Sequence, residues 1–220
     1  MKQVAWSYSA IKAFEDCARR YFLTKVSKEV KEQMTPQTTW GNEVHKALEY
    51  RVSYNRPLPE SMVQYETLMA KIIAKANGGQ IRAEQKMALN RNLQPTEYFA
   101  QDVWVRGITD VTILKGATLF NGDYKTGKRD PVSAQLRLSA ALVMAHKPSV
   151  QKSVNAFIWL KTGQVDTETV TRAELPNVWQ EFAPRVTRLE QAFAQNKFLP
   201  RPSGLCRNYC PCTSCEYYGK

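Results

Sequence analysis

RGITDVTILKGATLFNGDYKTGKR, residues 106–129, reads as two short runs of alternating apolar character around Lys115-Gly116. Gly116 suits the positive φ that a tight hairpin turn requires. With the turn centred there, Asp110 faces Asn121 across the ladder. Residues two apart share a strand face, so Asn121, Asp123 and Lys125 fall on the face that carries Asp110. Asp110 and Asp123 are then diagonal neighbours, with backbones roughly 7–8 Å apart and side chains able to converge on one ion. Val111, Ile113, Leu119 and Phe120 are the hairpin's core-seeking positions.

Two converging carboxylates repel, and one of them holds a proton unless a cation neutralises the pair. Oxygen ligands of this kind suit Mg²⁺ or Mn²⁺, which keep several waters and share their remaining positions with phosphate oxygens. Lys125, one pleat beyond Asp123, can stabilise a pentavalent phosphate or orient an attacking water. The chemistry indicated is metal-assisted phosphodiester hydrolysis. An isolated Asp-x-Lys is ordinarily solvated surface; the acidic residue across the hairpin sets this one apart. Residues 122–128, GDYKTGK, also fit the first seven positions of a phosphate-binding P-loop. Arg129 stands where a magnesium-binding hydroxyl belongs, and Asp123 would aim negative charge into the phosphate cradle, so that reading is set aside.

The 220-residue chain is 43% apolar, shows no internal repeat or low-complexity linker, and is expected to form one domain. Its parts are a helical portion over 1–79, an α/β core over 80–170, and a C-terminal helix and cysteine cluster over 171–220 that packs back on the N-terminal helix. No apolar run is long enough to span a bilayer, and the start, MKQVAWSYSAIKAF, is amphipathic rather than a signal peptide. A cytoplasmic setting, bacterial or phage-encoded, follows. A net charge of +11 and a pI near 9.5 favour a polyanionic partner, with nucleic acid the default.

Outward from the hairpin, Ser7 or Ser9 can cap a first helix running to about Thr24 and containing Cys17. Thr38 or Thr39 can cap a second, in which Val44 and Leu48 face inward while His45 and Glu49 share another face. A third helix runs from about Pro59 to Ala76 and stops at Asn77-Gly78-Gly79. Strands follow at residues 81–90, 97–114 and 117–125, an antiparallel meander with Glu84 as a further candidate metal carboxylate. Next come a helix from about Pro131 to Met144, strands at NAFIWLK and VDTETVT, and a long helix from about Glu174 to Ala194, kinked or divided at Pro184. This order predicts an α/β fold with a mixed central sheet flanked by helices.

Four of the five cysteines, Cys206, Cys210, Cys212 and Cys215, fall within the last 15 residues. In a cytoplasmic chain such clustering favours metal ligation over disulfides. The spacing is irregular for zinc, which usually takes two separated Cys-x-x-Cys pairs, whereas an iron–sulfur cluster tolerates it and could recruit Cys17. A compact zinc knuckle and ordinary thiols remain the alternatives.

Gly41-x-x-x-His45, Gly107-Ile-Thr-Asp110 and Gly122-Asp123-Tyr124-Lys125, in this order, resemble the PD-(D/E)XK nucleases and, within them, the RecB-like exonucleases. The resemblance implies a restriction-endonuclease-like core and a metal-dependent DNA exonuclease site of His45, Asp110, Asp123 and Lys125, with His45, Asp110 and Asp123 as metal ligands. In RecB-like enzymes a following helix carries Gln-x-x-x-Tyr; here Gln135 is retained and Ser139 takes the Tyr position. Asp16-Cys17-Ala18-Arg19-Arg20-Tyr21-Phe22 and Cys206-x-x-x-Cys210-Pro211-x-x-x-Cys215 resemble the 4Fe–4S pieces of the AddB nuclease domain and the CRISPR-adaptation nucleases. The cluster would use Cys17, Cys206, Cys210 and Cys215, with Cys212 surplus. Gln135, Lys128, Arg129 and Tyr124 are candidate DNA contacts, and stacking on Tyr124 or Trp40 would favour single strands or free ends. An end-processing nuclease working with a protein partner, and a binding module without catalysis, are the competing functions.

Overall fold

The computed structural model describes residues 4–32, 34–130 and 134–220. They fall into two compact units, one spanning 35–179 and the other combining the residues up to 34 with 180–220. No helix among the described residues is long and apolar enough to cross a membrane.

The larger unit opens with α3, Pro36–Tyr54, after the two short helices of the other unit, α1 (Tyr8–Asp16) and α2 (Ala18–Tyr21). Helix α3 begins a turn earlier than the Thr38/Thr39 expectation. Thr35 accepts a hydrogen bond from the Thr38 amide at 3.2 Å, and Pro36 occupies the first turn, where its missing N–H costs nothing. A 3₁₀ turn over Glu60–Tyr65 leads into α4, Glu66–Lys75. Six strands form one sheet: β1 Gln80–Leu89, β2 Pro95–Thr96, β3 Val105–Lys115, β4 Thr118–Lys125, β5 Lys152–Trp159 and β6 Gln164–Thr171. Their order is β2-β1-β3-β4-β5-β6, with only β4 and β5 parallel. That parallel step needs a crossover, supplied by α5, Ala134–His146. The expected start of this helix near Pro131 lies outside the described residues. The mixed sheet flanked by helices is the α/β architecture expected.

Residues 97–104 form the loop between β2 and β3 rather than the front of a long strand. The hairpin register also differs from the expected one: Val111 pairs with Gly122 and Thr112 with Asn121, so the turn lies at Gly116-Ala117 and Asp110 and Asp123 come directly opposite instead of diagonal. A further departure is local to Asp110. A Cβ on Gly107 would meet Leu142 of α5 at 2.7 Å, whereas Val111 and Ile113 lie in the core with Val44 and Leu48 of α3 and Met69 and Ile72 of α4. Strict alternation would put 107, 111 and 113 on one face. The strand therefore changes face at Asp110. Opposite it, Glu84 sits at φ 48° and is skipped by a ladder whose register is the same on both sides. A left-handed glutamate inside a strand costs on the order of 1 kcal/mol or more, borne here at the candidate site.

In the smaller unit α1 is capped by Ser7 and ends at Cys17, whose extended backbone (φ −166°, ψ 109°) separates it from α2. Cys17 is thus a break, not a residue inside a continuous helix. A π-turn over Phe22–Val26 follows α2. Helix α6, Leu175–Ala194, runs through Pro184 without dividing, and α7, Leu205–Asn208, is a single turn among the cysteines. Arg185 grips Glu15 through Nε (2.8 Å) and Nη2 (2.7 Å), and the Arg19 amide donates to the Leu199 carbonyl. These contacts join the two ends of the chain.

Candidate active site

Three elements of the larger unit meet at the face change in β3. Val44 and Leu48 of α3 are 0% exposed, and between them His45 turns its ring toward the sheet. His45 Nδ1 lies 3.3 Å from Asp110 Oδ1, while the other Asp110 oxygen accepts the Tyr124 amide at 2.7 Å. Ending the β3–β4 ladder one residue short of Asp110 frees that amide for the carboxylate. Across the hairpin, Asp123 Oδ1 accepts from Gln135 Nε2 at 2.7 Å, and Lys125 Nζ donates to Gln135 Oε1 at 3.0 Å. Asp123 Oδ2 lies 2.7 Å from Lys125 Nζ, yet no donor points along its hydrogen-bonding direction. A buried carboxylate oxygen with a cation beside it and no directed hydrogen bond is suited to an additional ligand.

His45, Glu84 and Asp110 each offer a ligand atom, all three within 4.8 Å of one another. Oxygen and nitrogen donors about 2.1 Å from one ion fall within that span. The residues therefore fit a divalent metal. They border a cavity of about 940 Å³, lined also by Lys86, Ile108 and Thr126.

The electrostatics match the geometry. Burial and the charge of Asp110 push the Asp123 carboxyl up to about 6. Burial, then Asp110, raises Glu84 as well. Burial by itself would lower His45; the Asp110 hydrogen bond and charge, with Asp123 and Glu84, outweigh it and leave the imidazole raised. Without a metal the Asp123 proton is held up to about pH 6 in the folded chain, but is lost near 3.8 when unfolded. Folding takes up a proton between those values, so the metal-free protein loses stability as pH rises through that window. A bound cation must displace the same proton. If Asp123 ligates the ion, Mn²⁺ affinity measured by calorimetry is expected to fall at least tenfold per unit below pH 6 and to go on rising above it, because the raised His45 imidazole must also lose its proton to ligate; an affinity constant from pH 4.5 to 7 would remove Asp123 from the ligand set.

The structure brings His45, Asp110, Asp123, Lys125 and Gln135 together. The ring of Tyr124 is 2% exposed within the α3/α4 core, edge-on to His45 at 6.1 Å, so it is not available to stack on DNA. Trp40 is half-buried and packs against the same core. Lys128 is exposed, whereas Arg129 forms a two-point pair with Asp166, with Nε donating at 2.9 Å. Ser139 accepts a hydrogen bond from the buried Asn121 at 2.8 Å, a structural use of the position. Gly122 and Asp123 lie within β4, which rules out the P-loop conformation. The bridging of Asp123 and Lys125 by Gln135 was not visible in the spacing, which gives no sign of how a crossover helix returns across the sheet.

All five cysteines are free thiols in the smaller unit. Cys17 Sγ accepts the Arg201 amide and Cys206 Sγ the Ser203 amide, both at 3.4 Å. Burial and the neighbouring Cys210 and Cys215 push the Cys212 thiol up to about 12. Among the described residues no three sulfurs lie within 4.8 Å of one another. Thiolates about 2.3 Å from one zinc would have to be closer than that, so no closed zinc site is assembled.

A family model described as the PD-(D/E)XK nuclease superfamily matches residues 5–217. A protein from Eubacterium rectale described as a putative exonuclease has a similar crystal structure, with a TM-score of 0.56 and 15% identity over 93% of this chain and 86% of that one. The crystal structure of SSO0001 aligns at a TM-score of 0.49 and 15% identity, over 99% of this chain and 87% of that one. No curated protein matches.

Proposed function

Because the chain belongs to the PD-(D/E)XK nuclease superfamily, whose model spans nearly its full length, we propose that it is a divalent-metal-dependent DNA exonuclease with its active site at His45, Asp110, Asp123 and Lys125. The observation that carries this reading is the meeting of α3, β3 and β4 at these side chains, with His45 paired to Asp110 at the edge of the cavity and Asp123, across the hairpin from Asp110, paired to Lys125. Mg²⁺ or Mn²⁺, when bound, supplies Lewis acidity toward the phosphate and lowers the pKa of water. His45 and Asp110 would hold the ion with Glu84, whose donor atom lies within the same span, and Asp123 across the hairpin is the further ligand of this reading. Lys125, fixed between Asp123 and Gln135, places a positive charge where the phosphate gains negative charge and orients the attacking water. Gln135 is a positioning residue, since its amide bridges the Asp123 carboxylate and the Lys125 ammonium. The basic charge of the chain and the exposed Lys128 support DNA as the substrate, single-stranded or with free ends. End-labelled single- and double-stranded DNA, incubated with Mg²⁺, Mn²⁺ or EDTA, tests the reading: label is lost only with metal. Wild-type protein inert under every condition, yet still retaining DNA, would leave a binding module.

The smaller unit is read as a 4Fe–4S module using Cys17, Cys206, Cys210 and Cys215, which staples the N-terminal helices to the C-terminus. Support comes from the gathering of all five thiols in that unit and from the backbone amides already directed at Cys17 and Cys206, the bonds that a cluster thiolate accepts. Cys17→Ser in anaerobically purified protein is expected to lower iron content and thermal stability together. Unchanged iron in that variant removes Cys17 from the ligand set.

A further inference from the structure

The sheet face that carries Asp110 continues away from the metal ligands. Ile108 and Arg106 follow at two-residue intervals on β3, opposite Lys86 and Ala88 of β1. Lys86 and Ile108 line the same cavity as His45, Glu84 and Asp110. At the far end the β2–β3 loop presents Tyr98 and Phe99 edge to face, with ring centroids 5.0 Å apart. Lys86 Nζ lies 5.8 Å from the Tyr98 ring and 5.7 Å from the Phe99 ring, and the Arg106 guanidinium lies 5.3 Å from Tyr98. Phe99 is 78% exposed and Ile108 44%, so packing within the fold does not account for them.

We propose that Tyr98 and Phe99, flanked by Lys86 and Arg106, form a stacking platform for unpaired bases of single-stranded DNA whose backbone runs on to Asp110. The inference rests on the reading of the Asp110 cavity as a DNA-hydrolysing site and adds to it a subsite and a strand preference. Both side chains placed against these rings are cationic, which suits a polyanion whose bases stack on the aromatic faces while phosphates meet the charges. Bases in a duplex are already stacked on each other and cannot use the platform. Arg106 and Asp110 are four residues apart, roughly 13 Å of strand. The platform therefore holds the strand a few nucleotides from the phosphate under attack. Tyr124 and Trp40, the aromatic residues suggested by sequence, are replaced in this role by a pair in a segment that reads as strand.

Fluorescence anisotropy with labelled dT20 and with a 20-base-pair duplex, in EDTA so that nothing is cut, tests the platform on the full chain. Phe99→Ala is expected to weaken dT20 binding about tenfold while leaving duplex binding within about twofold, and Phe99→Trp to restore it. Mn²⁺ binding by the Ala variant should match wild type, showing an intact fold and metal site. Equal losses on both DNAs, no loss on either, or a wild type that does not bind dT20 would overturn the proposal; retained affinity for both DNAs would leave the face to a protein partner. Wild-type chain that binds dT20 through Phe99 yet leaves it uncut with Mg²⁺ or Mn²⁺ would keep the platform and sink only the hydrolytic reading.

Discussion

Asp123→Ala is expected to lower metal-dependent DNA cleavage by at least about 10³-fold, a loss of roughly 4 kcal/mol of transition-state stabilisation. The substitution removes a proposed metal ligand and the partner of Lys125 at once. It also leaves the Gln135 amide without its acceptor, so part of the loss could reflect a displaced Lys125. Asp123→Asn separates the two effects. The Asn carbonyl can still accept from Gln135 and fills the same volume, but carries no charge for the ion. Equal inactivity of the Ala and Asn variants assigns the loss to charge. Unchanged secondary structure by circular dichroism shows that neither variant has simply unfolded. Cleavage by the Ala variant at the wild-type rate would exclude Asp123 from the chemistry.

The pairing of Asp110 with Asp123 was legible because both lie in short apolar-alternating runs around a glycine turn, a pattern with few structural solutions. Its geometry was less so. A turn one residue further along, at Gly116-Ala117, shifts the register by two, and that shift turns diagonal carboxylates into opposed ones. The face change at Asp110 is also invisible to an alternation count, because it needs Glu84 to adopt a positive φ, which no propensity of glutamate suggests. It brings Glu84 to the metal ligands and keeps Val111 in the core immediately after Asp110. The N-terminal helix was misread at Cys17 for a related reason. Its break is accompanied by contacts to residues 199–201, almost the whole chain away. His45, by contrast, followed directly from local pattern: Val44 and Leu48 fix one side of α3, and the histidine between them must leave at the rim of that side.

The same arrangement makes Leu48 and His45 a matched pair of opposite sensitivities. Leu48 is fully buried between α3 and the sheet, one turn beyond His45, in the cluster containing Val111, Ile113 and Met69. Leu48→Ala deletes buried methyl groups at a site whose walls are a helix and a strand ladder, neither of which can collapse freely into the space. A loss of about 3 kcal/mol is expected, seen as a fall in melting temperature on the order of 10 °C. Below that temperature the variant should bind Mn²⁺ with an affinity within a few-fold of wild type, because the backbone of α3 still presents His45 to Asp110. His45→Ala should do the reverse. Its side chain, 31% exposed, sits at the rim of the core and contributes less packing than Leu48, so the melting temperature of the metal-free protein moves by only a few degrees, while Mn²⁺ affinity falls by about 10- to 100-fold. Calorimetry and thermal denaturation on the two variants separate the roles. If His45→Ala destabilised the apo-protein as much as Leu48→Ala and left Mn²⁺ affinity untouched, His45 would belong to the core and not to the metal site.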